Sequence, residues 1–472
     1  METIEATRVQ SEGGTLSRLV ALRDKSWLVL RGDRSGAPRL RMDRVLRTFV
    51  ARELEDEERE TLRRAHALHR VERAERLAAQ LEQGGEAVGE LCADLPDLHA
   101  AIAWALERDD ADRALLAARG LGALCALLRA TGPLDAIIAL LDAHLPQLVR
   151  SLPAGWIATL LSARCEARRR SGQWSASAED GAAAYDHALE SGEPEVVASA
   201  ALQLGFSLAR CGEVERSRAL FDEALGAFEA RGNDLGLGLA FCGLALLSRQ
   251  AGAHEDAIAH LESSIRALRR GGALRSSALM LNNLGTLHMN LGAWAPARCC
   301  FEDASELEAA IGDRVSAAMT LGNQGVLAFV CGREEQAVAT MERAIVAATE
   351  AGAGQALRNA TGYLGMVRLS RGEFEVARGL LDRALRENRT GARPACVWVF
   401  ESALETLERR RLARRPPCVT SDRGECTRRA VDPRAARGAV GVGGARDGGA
   451  RDARGRCALI VIASARSTAC AG

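Results

Sequence analysis

The sequence predicts an all-α solenoid built from helix–turn–helix units, and three observations carry that prediction. Glycines recur at Gly132, Gly172, Gly212, Gly252, Gly292, Gly332 and Gly372, at an unbroken interval of forty residues. Seven residues before the last six of these stand small residues: Cys165, Gly205, Ala245, Gly285, Gly325 and Gly365. Nine residues after the glycine, from the third unit on, stand large apolar ones: Phe221, Leu261, Phe301, Met341 and Leu381. Self-similarity at a period of this size marks stacked supersecondary units. The composition agrees: aromatics are 4% of the chain, fewer than sheet sandwiches use, while small residues suit closely packed helices.

Each column has a physical role. The periodic glycine belongs in a turn, where a positive φ costs it nothing. The small column lets two helices approach closely. Five residues after the glycine come Ser177, Ser217, Ala257, Ala297, Ala337 and Ala377, and twelve after come Ala184, Ala224, Ser264, Ala304, Ala344 and Ala384. Positions five, nine and twelve advance by four and three, so they share one face of a second helix. The first two units depart from the pattern at position nine, with Leu141 and then Gly181. One such unit cannot bury its apolar face alone, and stacking its neighbours does so.

Leu284–Asp313, reading LGTLHMNLGAWAPARCCFEDASELEAAIGD, and Leu364–Leu385, reading LGMVRLSRGEFEVARGLLDRAL, resemble the tetratricopeptide repeat (TPR) family. The resemblance covers roughly residues 118–397. The family unit is about 34 residues, so the extra length here implies longer helices or longer links between units. The expected fold is thus a TPR-like α-solenoid of about seven forty-residue units, a superhelical array over 118–410. The resemblance implies a protein- or peptide-binding scaffold whose first helices line a concave groove. Those helices carry Arg249, Gln250, Asn282, Asn283, Asn290, Asn323, Gln324 and Asn359, the candidate groove residues. A charged donor and several amides suit an extended or acidic peptide. For Asn283 and Asn323, at equivalent positions, the alternative is a structural bond between helices. The clamp of chaperone-binding TPRs needs a basic residue and Asn at set positions. Leu202, Cys242, Asn282, Gly322 and Gly362 do not supply it, so chaperone tails are not an expected ligand.

Ahead of the array, residues 15–50 read as helix, short strand (Trp27–Arg31), Gly/Pro turn, second strand (Arg39–Met42) and helix. With Asp24, Lys25 and Ser26 leading into the hairpin, this resembles the winged-helix segment that follows the nucleotide-binding core of STAND-class (NB-ARC-like) signal-transduction ATPases. Leu95–Asp110, LPDLHAAIAWALERDD, resembles the connector between winged helix and TPR array in that class. The expected order is therefore a winged-helix-like segment over 1–50, a helical connector over 51–117, the array over 118–410, and residues 411–472. That last stretch holds two leucines among nine glycines and thirteen arginines. It reads as a disordered Arg/Gly-rich tail or as GC-rich DNA translated out of frame. The resemblance implies the sensor or effector-binding half of a bacterial signal-transduction regulator, a fragment or relative whose ATPase part is missing upstream. The alternative is a DNA-binding transcriptional regulator that uses the winged helix or the basic tail. Asp43–Arg52 mixes Arg44, Arg47 and Arg52 with Asp43, which gives no clean basic face.

Composition narrows the chemistry. The net charge is zero, so nucleic acid is not the favoured partner of the whole chain. Lys25 is the only lysine, and Leu22, Arg23 and Asp24 precede it in place of a glycine loop, so no P-loop holds a nucleotide. The cysteines form no CxxC pair, and Cys299 with Cys300 is the only cluster; buried reduced thiols are expected. His66 and His69 lie three apart on a charged helix and could share a metal, though a solvated face is the expectation; His254, His260 and His288 lack ligand spacing, and no GxSxG elbow appears. No apolar run of about 20 residues suggests a membrane span. The expectation is a cytoplasmic binding protein, not an enzyme, with no catalytic residue, no cofactor, no metal and no membrane partner.

Overall fold

A computed structural model describes residues 22–386 apart from 26, 33–37, 43 and 109, together with 400–405, 419–420 and 426–427. The expected tail thus lies almost wholly outside the described residues. Near the N-terminus β1 (Leu28–Gly32) pairs antiparallel with β2 (Pro38–Met42), Leu28 opposite Met42 and Leu30 opposite Leu40. Helix α1 (Arg44–Glu53) follows. Two long helices come next, α2 (Asp56–Ala79) and α3 (Gly85–Ala105). The Glu58 carboxylate accepts from the Glu55 amide at 3.2 Å and so satisfies a donor that the start of α2 would leave orphaned.

The array is then a run of helical hairpins: α4 (Ala111–Thr131) with α5 (Leu134–Leu148), α6 (Ala154–Arg170) with α7 (Trp174–Ser191), and α8 (Pro194–Cys211) with α9 (Val214–Arg231). After these come α10 (Asp234–Gln250) with α11 (His254–Arg270), α12 (Leu274–Asn290) with α13 (Trp294–Ile311), α14 (Arg314–Val330) with α15 (Glu334–Glu350), and α16 (Gly354–Ser370) with α17 (Phe374–Arg386). It is an all-α solenoid of TPR type. From α6 to α16 every helix has 17 or 18 residues. The extra length of the repeat therefore went into the helices, and the turns stay two or three residues long.

All seven periodic glycines have positive φ, from 71° at Gly132 to 85° at Gly212. So do Gly192, Gly232, Gly272, Gly312 and Gly352, halfway between them. Turns within a hairpin and turns between hairpins thus share one device, a residue past the helix end whose amide bonds back to the last turn, as Gly192 N does to Leu189 O at 3.2 Å. The underlying beat from Gly172 on is one helix plus one turn.

The small and large columns meet. A Cβ on Gly205 would lie 2.8 Å from the Phe221 ring, one on Gly285 2.7 Å from Phe301, one on Gly325 2.7 Å from Met341, and one on Gly365 2.9 Å from Leu381. Glycine on the first helix is the space that the large side chain of the second helix fills. In the irregular unit the glycine stands on the second helix: a Cβ on Gly181 would lie 3.1 Å from Leu204 Cα of α8 and 3.2 Å from Cys165 Sγ of α6. Where position five is serine, its hydroxyl ties the two helices, Ser177 Oγ donating to Cys165 O at 2.8 Å and Ser217 Oγ to Gly205 O at 2.7 Å.

The chain forms two compact units, residues 1–280 with 310–313, and residues 281–309 with 314–472. In the first, a continuous apolar core runs from Ala67 in α2 through α3 and α4 to Ala200 in α8. The boundary at 117/118 falls inside α4, which α2 and α3 pack against. Among the described residues α4 alone is long and apolar enough to cross a membrane, a stretch the sequence reading did not single out. It is a core helix here: 56% of that stretch is buried, and Arg119 on it pairs with Glu75 of α2 at 2.6 Å. The α2–α3 turn also reaches the start of α12. The amides of Arg275 and Ser276 donate to Glu82 O and Glu82 Oε2 at 3.1 and 3.0 Å, and Arg275 pairs with Asp313 at 2.5 Å. In the second unit, Phe400 from the helical stretch 400–405 is fully buried, edge-on to Tyr363 at 5.4 Å and directly over Gly362.

Candidate functional site

In the first unit the last turn of α10 carries Arg249 and Gln250. Gln250 Nε2 donates to Ala209 O on α8 at 3.3 Å, which ties the ends of two successive first helices. Arg249 is half-buried, and its Nε is buried with no hydrogen-bond partner. Burial lowers its pKa, opposed by the neighbouring Cys242.

Two residues the sequence reading did not select lie in the last turns of the preceding first helices: Arg169 near the end of α6, in the register of Arg249, and Arg210 near the end of α8, one residue further on and in the register of Gln250. The Arg169 guanidinium lies 4.9 Å from the Phe206 ring centre and that of Arg210 4.4 Å from Trp174. Arg169 Nε is also buried without a partner. Burial, and then the charges of Arg169 and Arg249, push the Arg210 pKa down to about 10. Burial lowers that of Arg169 too, with Glu166 opposing. The signal was present in the sequence: these arginines sit two or three residues before Gly172, Gly212 and Gly252. Arginine is so abundant in this chain that composition does not set these three apart.

Other arginines of α6 are matched by carboxylates. Arg164 and Arg168 share Asp142 and Asp180 at 2.7–3.0 Å. Glu166 is held by Arg129 at 3.2 Å and Arg170 at 3.5 Å. Among the described residues no carboxylate pairs with Arg169, Arg210 or Arg249.

In the second unit the structure brings several predicted amides together, and they bond to the fold itself. Asn323 Nδ2 donates to Asn282 Oδ1 at 2.5 Å, and Asn282 Nδ2 to Thr320 Oγ1 at 2.5 Å. The Thr320 hydroxyl donates to Glu308 Oε1 at 2.7 Å. Asn282, Thr320 and Glu308 are buried. Gln324 Nε2 donates to Phe301 O at 3.3 Å and Ser305 Oγ at 3.1 Å. Asn283 on α12 and Asn359 on α16 are half-buried; Asn290, at the end of α12, has a buried Oδ1 without a partner. Among the described residues no three metal-ligating side chains converge. His66 Nε2 accepts from Arg70 Nε at 3.4 Å, and burial, then the Arg70 charge, lowers the His66 pKa.

The repeat geometry has a counterpart in sequence. Residues 196–270 match the tetratricopeptide repeat family. The matched TPR stretch begins in α8 and ends at the last residue of α11, so it takes in the hairpins that carry Arg210 and Arg249. No match was found among the curated proteins. Among solved structures, a Rap protein complexed with Competence and Sporulation Factor is 14% identical, covers 74% of this chain and 98% of its own, and superposes with a TM-score of 0.48. A signal transduction ATPase with numerous domains from Pyrococcus horikoshii, with a tetratricopeptide repeat sensor, is 10% identical. It covers 88% of this chain and 60% of its own, at a TM-score of 0.47. Aspartyl phosphate phosphatase F from Bacillus subtilis is 12% identical and covers 77% of this chain and 97% of its own, at 0.45.

Proposed function

We propose that this chain is a protein- or peptide-binding TPR module, the sensor or effector-binding half of a bacterial signal-transduction regulator, and that a partner segment lies along its first helices. One observation carries the reading: the last turns of α6, α8 and α10 hold Arg169, Arg210 and Arg249, none of them in an ion pair with a carboxylate among the described residues, and two of them with an unsatisfied buried Nε. An orphaned buried donor is a standing cost to the fold. A binding surface keeps such groups because the partner supplies the acceptors. Arg249 and Gln250 are contact residues in this reading. In the second unit, taken by itself, Asn282 and Asn323 hold successive first helices in register. The hairpin, α1 and the α2–α3 connector are the segment through which the module joins the rest of such a regulator, which works in the cytoplasm. No nucleotide or catalytic step belongs to this chain.

The test is a selection of displayed random peptides on the full chain, followed by hydrogen exchange with the enriched peptides bound. Protection concentrated at the ends of α6, α8 and α10 is expected. Protection confined to the second helices α7, α9 and α11, or no enrichment at all, would overturn the reading.

A further inference from the structure

We propose that Arg169, Arg210 and Arg249 form one anion site that takes the carboxylates of an acidic, extended peptide segment. The inference rests on the reading of the first helices as the binding face, and it names the chemistry of what binds there.

The arginines occupy the last turns of three successive first helices, and those helices pack directly on one another, α6 on α8 and α8 on α10. Helices in contact have axes about 8–10 Å apart, which an extended chain spans in roughly three residues. Three guanidiniums on that spacing match carboxylates three residues apart along an extended strand. A lone small anion would reach only part of such a row.

The side chains are already oriented. Arg169 rests on the Phe206 ring and Arg210 on the Trp174 ring, and a guanidinium lying on a ring keeps its N–H edge available for in-plane acceptors. The fixed fork of such an edge is the geometry that binds carboxylate bidentately.

The usual counter-ions are engaged elsewhere. Asp142 and Asp180 neutralise Arg164 and Arg168, and Glu166 is taken by Arg129 and Arg170. The thiol of Cys242, which feels both Arg169 and Arg249, cannot serve: burial pushes its pKa up to about 11, so it stays neutral. Arg210 therefore feels the charges of Arg169 and Arg249 with no carboxylate of its own, Glu166 offsets Arg169 only while shared with Arg129 and Arg170, and an incoming anion relieves the repulsion. This positive field is local, because the adjacent arginines are paired and the net charge of the chain is zero. A nucleic acid, which draws its affinity from a broad basic surface, fits it less well than a short acidic segment.

The experiment uses the full chain and four probes: fluorescein-labelled Asp-Ala-Ala-Asp-Ala-Ala-Asp, the same peptide with Asn for Asp, inorganic phosphate, and a twelve-residue oligothymidylate. Anisotropy measures the labelled polymers, and melting temperature measures phosphate. The Asp peptide should bind, weaken with added salt, and exceed the Asn peptide at least tenfold in affinity. Arg210→Gln and, independently, Arg249→Gln should each lower that affinity about tenfold or more. Neither should lower the melting temperature of the unliganded protein, since each removes repulsion; a purely structural arginine would show the opposite. Equal binding of the Asp and Asn peptides, unchanged affinity in both variants, or tighter binding of the oligothymidylate overturns the proposal. So does a melting shift from phosphate as large as the peptide's. Should neutral displayed peptides protect the ends of α6, α8 and α10 while the Asp peptide fails to bind, the binding face stands and the anion site falls.

Discussion

Gly205→Ala is the substitution that most directly tests how these repeats pack. Gly205 lies inside α8 and lacks a positive φ, so alanine meets no backbone strain and should gain about 1 kcal/mol of helix propensity. Against that, the new Cβ would stand 2.8 Å from the fully buried Phe221 ring, closer than carbon atoms tolerate. Gly243 presses the same ring from α10, where an added Cβ would lie 2.5 Å away, so the ring has little room to retreat. Overpacking of this kind costs about 1–3 kcal/mol. The net expectation is a loss of about 1 kcal/mol. Gly226→Ala in α9 is the control, since nothing lies within 4 Å of the added Cβ and the site is exposed; it should gain about 0.5–1 kcal/mol. The pair Gly205→Ala with Phe221→Leu recreates the Ala245 and Leu261 pairing of the next unit. It should cost less than the sum of the single changes, with a coupling of about 1 kcal/mol. Urea titration followed by circular dichroism reads five proteins, the parent, Gly205→Ala, Phe221→Leu, the double variant and Gly226→Ala, with slopes compared because repeat arrays can lose cooperativity. If Gly205→Ala and Gly226→Ala shift the midpoint in the same direction and by the same amount, the ring is not what requires glycine at this position.

Three further outcomes follow from the described contacts. Gly212→Ala places a side chain at φ 85° in open space, so strain alone should cost about 1–2 kcal/mol in the same titration. Glu82→Ala removes the side-chain acceptor of the Ser276 amide at the start of α12; hydrogen exchange at Ser276 should quicken and stability should fall by about 1 kcal/mol. Burial pushes the Cys125 thiol up to about 12. The unfolded chain therefore releases that proton before the folded one does. Stability contributed by the neutral thiol is complete below the ordinary cysteine pKa and declines as pH rises from there toward 12. A Cys125→Ala variant should lose less stability between neutral and strongly alkaline pH than the parent, measured by urea midpoints at each pH.

The sequence by itself determined the architecture. Glycine turns and the alternation of small and large columns are local in origin, because a positive φ and a close helix approach are each written in one residue type at one position. The sequence showed only half the beat, since Gly192, Gly232, Gly272, Gly312 and Gly352 fall between the columns that were aligned. Gly181 departs from the large column because a Cβ there would lie 3.1 Å from the Leu204 backbone and 3.2 Å from Cys165 Sγ: whether a position must be small depends on what the neighbouring helices place against it. The candidate site was legible in part. Arg249 is among the residues the repeat pattern selects and has no carboxylate partner among the described residues, whereas Asn282 and Asn323 bond to each other within the fold. Only tertiary structure could sort the many arginines, because composition cannot tell a paired guanidinium from an unpaired one. Arg164 and Arg168 find carboxylates on α5 and α7, while Arg169 on the same helix turns toward Phe206 and finds none. Which neighbour a long charged side chain meets is settled by the angular position of each residue around its helix and by what the next repeat places opposite, and neither is a property of the residue alone.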